Sequence, residues 1–264
     1  WRRSLQAARA MQVSAMSDPR VADEVLVNLA VVRGNLQQVW RSVDELRASA
    51  RGAESALDDV EVETSRARLT TDPAIGAVSL RNAGDQMDVL RQRCALSSSM
   101  AEEVEERLGI AKRHVEFARD RLEHYEPGTG NPDSAAALSG LRTHVEDLAV
   151  LVDLAIPLAQ GVRTHMREAA ETAAALTSPN LAESDLLYSA FKVDRGTQTA
   201  GRSVVRADES VRHLDRTLES AGAGAARSLG RADLLANSAQ DRLLAEQHRW
   251  TPALDQSGVK GPPR

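Results

Sequence analysis

Six histidines and 38 acidic side chains are the groups in this 264-residue chain that could hold a metal or move a proton. Helical di-metal carboxylate sites place a Glu three residues before a His, so that both project to one centre. The residues three before His114, His124, His144, His165, His213 and His248 are Ala111, Arg121, Leu141, Val162, Ser210 and Ala245. None is acidic, and that class of site fails. One residual metal candidate is Glu116, Asp120 and His124, spaced i, i+4, i+8 along one helix face. The competing reading is a solvated face with salt links to Arg113 and Arg119. His165 with Glu168 and Glu209 with His213 pair in the same local way.

Nucleophile and cofactor chemistry finds little support. Cys94 is the single cysteine, which rules out an internal disulfide framework and any zinc site of paired cysteines. It reads as a small buried hydrophobe. The chain has no Gly-x-x-x-x-Gly-Lys-Ser/Thr loop, no His-Glu-x-x-His and no Gly-x-Ser-x-Gly elbow. Gly128 with Gly130, and Gly222 with Gly224, lack the third glycine and a preceding strand, so they read as helix breaks. No catalytic residue and no cofactor are expected, and the chain is read as a non-enzyme. Two acidic features stand out. Glu102, Glu103, Glu105 and Glu106 could dock a basic partner, but an exposed face broken by core Val104 explains them as well. Asp153 lies beside an apolar run, where a buried carboxylate would need a partner and an exposed one would mark a wet edge.

The elements that must position these groups are helices. Apolar or small residues recur three and four apart through Val25, Leu29, Val32, Leu36, Val39 and Val43, continuing to Thr64. The same spacing runs from Leu80 to Tyr125, from Leu138 to Leu176 and from Leu186 to Leu218. Only an α-helix keeps one stripe facing a partner at that period. Asp18-Pro19, Asp72-Pro73 and Ser178-Pro179 each put a capping side chain before a proline at the first helical position. Asn180 with Glu183 is an alternative start with capping-box spacing. Five helices follow, over about 19–67, 73–125, 134–177, 181–221 and 224–249. Each of the first two is roughly 70 Å long at 1.5 Å per residue.

Short linkers make successive helices antiparallel. The fold expected is all-α: an elongated bundle of four to five heptad-patterned helices, spanning 19–250 as a single domain. Residues 1–18 form a short helix or a disordered segment, and 251–264 a disordered tail. The third helix is apolar on nearly every face near Leu148–Leu158, so it is placed centrally, with a kink at Pro157. The thickest core is expected around Trp40, Val43, Leu148, Leu151 and Leu154, with Val25, Leu29 and Val32 toward the same half. The opposite half, with Ala50, Ala53, Ser97, Ala173 and Ala200, is expected to be softer because alanine buries little area.

Composition narrows the function. The chain carries 42 Ala, three Lys and a net charge of -5. That balance argues against nucleic acid, which needs a basic face. The most apolar stretch, Leu148–Ala159, is too short to span a bilayer. A cytoplasmic location is expected. The pattern points to a structural or interaction protein, a scaffold or adaptor whose partners are other proteins or a second copy of itself. Two alternatives are open. One is a membrane-binding elongated dimer that resembles a BAR-type module, disfavoured by the acidic charge. The other is a helical ligand-binding or sensor bundle with a gap near Pro157.

Overall fold

The computed structural model describes residues 19–124, 132–177 and 187–220. They form helices α1 (Pro19–Leu69), α2 (Pro73–Glu123) and α3 (Pro132–Ala174), and α4, helical across 187–220. No strand occurs among the described residues, and the protein is all-α. The segment 1–18, the helix expected at 224–249, the tail, Trp1 and Trp250 lie outside the described residues.

The helix ends follow from local chemistry. Asp72 Oδ1 accepts the Ala74 N–H at 2.9 Å, and Thr70 Oγ1 accepts the Asp72 N–H at 3.2 Å. Pro73, with no N–H of its own, occupies the first helical position of α2. Arg66 and Arg68 stand in the last turn of α1, where cations complement the helix dipole. The far end of α2 is closed from α3: Arg142 Nε and Nη2 donate to the Leu122 carbonyl at 3.2 and 2.7 Å. That carbonyl has no partner within its own helix.

Packing groups the described helices into two compact units. The first unit contains residues 19–31, 113–124 and 132–149. Val25, Val115, Leu122, Leu138, Val145 and Leu148 are buried in it. Arg121 reaches Glu24 at 3.2 Å and Arg119 reaches Glu146 at 3.3 Å, tying α2 to α1 and to α3.

The second unit contains residues 32–69, 73–112, 150–177 and 187–220. Its buried positions alternate three and four apart, for example Val39, Val43, Leu46, Ala50, Ala53, Leu57 and Val60 on α1. Side-chain ties set the register. Arg47 pairs with Asp215 and Arg68 with Asp194, so α1 and α4 run antiparallel. Ser97 donates to Ser49 at 2.7 Å and Arg107 to Gln38, so α1 and α2 do likewise. Lys112–Asp153 and Arg163–Glu105 repeat the relation for α2 and α3, and Ser203–Glu168 belongs to the α3–α4 pair. The middle layers are small: Ala50, Ala53, Cys94, Ser97, Ala169, Ala173, Ala200 and Ala207 are all buried. Small side chains let helices approach closely but bury little apolar area per residue.

Of the expected core, Val25, Val32, Val43, Leu148 and Leu151 are buried and Leu29 is half-buried. Trp40 and Leu154 need correction, being 41% and 57% exposed. Trp40 follows buried Val39, and one helical step turns it about 100° off the stripe. Leu154 sits between buried Val152 and Ala155, on the outer side. The central placement of the third helix is corrected with it. Val150, Asp153, Leu154 and Pro157 form an exposed side of α3, so apolar composition there does not mean enclosure. Pro157 lies within α3 on that side. The carbonyl it leaves without a donor, that of Asp153, is on the same wet side, where water can satisfy it.

Candidate interaction surface

The titratable groups singled out by the sequence serve mostly as ties. Glu116, Asp120 and His124 are exposed. His124 Nδ1 donates to the Asp120 carbonyl at 2.8 Å and lies 3.5 Å from its carboxylate. That backbone hydrogen bond, followed by the charge of Asp120, holds the imidazole above its ordinary pKa. Among the described residues, no group of three or more His, Cys, Asp or Glu is placed to hold a metal ion. Arg119, expected to pair within its own helix, reaches across to Glu146 on α3.

The acidic run is partly engaged. Arg107 pairs with Glu103 at 2.6 Å. Gln160 donates to Glu105 Oε1 at 2.8 Å, while Arg163 stands 3.0 Å from Oε2, close enough for attraction but not aligned as a hydrogen bond. Asp153 is exposed and meets Lys112 at 2.8 Å, which gives the wet-edge reading its partner. His165 lies 3.3 Å from Glu168. Cys94 is buried, and burial pushes its thiol up to about 12, far from nucleophilic character.

Unassigned surface is found elsewhere in the second unit. The Arg68–Asp194 contact places the start of α4 beside the α1–α2 turn. At that end Leu69 is 84% exposed, and Leu187, Tyr188 and Phe191 are 68%, 63% and 61% exposed. Ile75 and Val78 are exposed on the first turns of α2. Exposed apolar side chains are ordinary when scattered but informative when gathered. No motif or periodic stripe in the sequence includes these residues. The available signal is that Tyr188 and Phe191 are two of only seven aromatics and lie off the Ala190–Val193 stripe.

The same unit holds a groove of about 860 Å³ between α1 and α4. Glu54, Asp58 and Glu61 line its α1 wall, and Arg202, Arg206 and Glu209 its α4 wall. A smaller groove of about 320 Å³ in the first unit, between α2 and α3, is already bridged by Arg119 and Glu146. No helix of the described residues is long and apolar enough to cross a membrane. No protein-family model matches the chain, and neither the curated proteins nor the solved structures include a match to it.

Proposed function

We propose that this chain is a non-enzymatic interaction module, a scaffold or adaptor that works through exposed helix faces. The observation that carries this reading is the concentration of exposed apolar side chains at one end of the second unit, at Leu69, Ile75, Val78, Leu187, Tyr188 and Phe191. Helices with a second apolar face recruit other helices onto it. The polar groups that could have formed a reaction centre are instead spread over cross-helix ties, as in Lys112–Asp153, Arg119–Glu146 and Arg121–Glu24.

The test compares two baits, the full chain and its Leu187→Ser/Tyr188→Ser/Phe191→Ser variant. Circular dichroism and the unfolding midpoint report that both are folded. Loss of bound protein on substitution supports the reading. Identical partner sets from the two baits would sink it, as would turnover of a small substrate that a single polar substitution abolishes.

A second reading has one specific observation behind it. Lys192 and Arg195, both exposed, follow the aromatic pair Tyr188 and Phe191 within two helical turns, a combination suited to an anionic lipid surface. Co-sedimentation with phosphatidylserine vesicles at low salt decides between the two.

A further inference from the structure

The α1–α4 seam of the second unit is clamped at both ends and open in the middle. Arg47–Asp215 closes one end and Arg68–Asp194 the other. Between the clamps, charges of opposite sign face each other without pairing. Glu54, Asp58 and Glu61 stand on α1, spaced four and three residues apart, with Arg202 and Arg206 across from them on α4. Among the described residues none of these five makes an ion pair, although the clamps show that the same two helices do pair charges where they meet. Among the described residues, the side chain of Arg202 donates to Thr199 of its own helix, at 3.4 Å.

The groove between the walls has room and an apolar floor. Leu57 and Val204, both buried, lie at its base, and Val205, 52% exposed, adds apolar surface to the lining. Gly201 keeps the floor low: a Cβ there would only just reach Leu57, at 3.9 Å. Along α4 the lining runs from Thr197 to Glu209, about 18 Å at the helical rise. That length matches three turns of another helix.

We propose that this groove docks an amphipathic helix of a partner protein, basic along the flank that meets α1 and acidic along the flank that meets α4. The net charge of each wall, three carboxylates on α1 against two guanidiniums and the end carboxylate Glu209 on α4, selects the flank, and the floor of Leu57 and Val204 takes an apolar or small ridge. This rests on the reading of the chain as an interaction module but not on the apolar end formed by Leu187, Tyr188 and Phe191. The two can therefore fail separately. Charge complementarity favours a partner with segregated flanks over a lipid surface, because the lining of one groove presents both signs around an apolar floor.

The test uses a fluorescein-labelled helical peptide of about 20 residues, long enough to hold helix on the groove. It carries Lys along one flank, Glu along the other and a Leu/Ala ridge between. A scrambled peptide of the same composition is the control. Fluorescence anisotropy with the full chain at low salt should show the ordered peptide binding at least about tenfold tighter than the scrambled one. The preference should shrink as salt rises, because exposed charges are screened over about 10 Å at 0.1 M.

Two variants keep the outcome readable. Reversing the α1 wall, in which Glu54 is half-buried and Asp58 and Glu61 are exposed (Glu54→Lys/Asp58→Lys/Glu61→Lys), should lose that preference and bind a peptide with Glu on both flanks. Gly201→Leu, a better helix former that fills the floor, should block both peptides while helicity is kept. Equal binding by the wild type and both variants overturns the proposal, and so does absence of any preference for the ordered peptide. A concentration-dependent dimer that the charge reversal abolishes would assign the groove to a second copy and overturn it as well.

Discussion

Gly196→Ala is the sharpest perturbation the packing offers, because two opposed effects can both be sized. A glycine inside a helix costs about 0.5–1 kcal/mol relative to alanine, so the substitution alone should stabilise α4. The space is already taken. A Cβ at 196 would overlap Leu176 Cδ1 and lie 3.2 Å from its Cγ and 3.5 Å from Cδ2. Leu176 is 4% exposed, in the turn that closes α3, where its N–H donates to the Ala173 carbonyl at 2.9 Å. Overpacking costs typically about 1–3 kcal/mol, and expelling the leucine would forfeit about as much. The clash therefore wins, with a net loss of about 1–2 kcal/mol.

Gly34 and Gly109 are the controls. Nothing lies within 4 Å of a Cβ at either, and Gly→Ala there should gain up to about 1 kcal/mol. The assay is urea unfolding followed by circular dichroism at constant slope. The double variant Gly196→Ala/Leu176→Ala should cost no more than Leu176→Ala alone, since the clash and the leucine disappear together. A Gly196→Ala protein as stabilised as Gly34→Ala would refute the reasoning.

Other expectations follow from burial and charge. His144 is 8% exposed, and burial holds its pKa below the ordinary 6.5, with Asp147 opposing. The unfolded state then binds more protons, so this contribution is fully present above about pH 6.5 and is lost as pH falls through the lower folded value. Unfolding midpoints at pH 7.5 and pH 5 should differ less in His144→Gln than in the wild type; equal differences would contradict this. Cys94, at about 12 against an ordinary 9.0, carries about a thousandfold less thiolate than a free thiol at the same pH. Native protein should resist thiol-reactive dyes and take up one equivalent on unfolding, whereas prompt native labelling would refute its burial. Asp215, 16% exposed against Arg47, should cost about 1.5–3 kcal/mol on change to Ala. Asp153→Ala should cost under about 1 kcal/mol, because both Asp153 and Lys112 are well exposed. Equal losses in denaturant midpoint would show that burial does not set the value of these pairs.

The candidate surfaces were only partly legible from residues. The helices and the Asp72-Pro73 boundary follow from a period and a capping chemistry that act within a few residues. The metal candidate at Glu116, Asp120 and His124 could be formulated from spacing alone, but spacing cannot say whether a third helix brings a further ligand. No spacing marks Leu187, Tyr188 and Phe191, because an apolar residue beside a buried stripe looks the same whether its flank meets a neighbour or solvent. Trp40 and Leu154 erred in the opposite direction for that reason. Size and hydrophobicity argued for burial, while their position one step or two from the stripe turned them outward.

The sequence by itself determined the all-α class, which stripe of each described helix turns inward and where small alanine positions thin the core, because helical period and side-chain volume are local properties. Tertiary structure decided which flanks meet. It set the register that pairs Arg47 with Asp215 and Lys112 with Asp153, and left Glu54, Asp58 and Glu61 facing a groove. It also exposed an apolar end beside the α1–α2 turn. Those outcomes depend on how far one helix slides along another. A heptad stripe repeats every seven residues and fits several such offsets almost equally well, so the choice falls to contacts between residues distant in the chain.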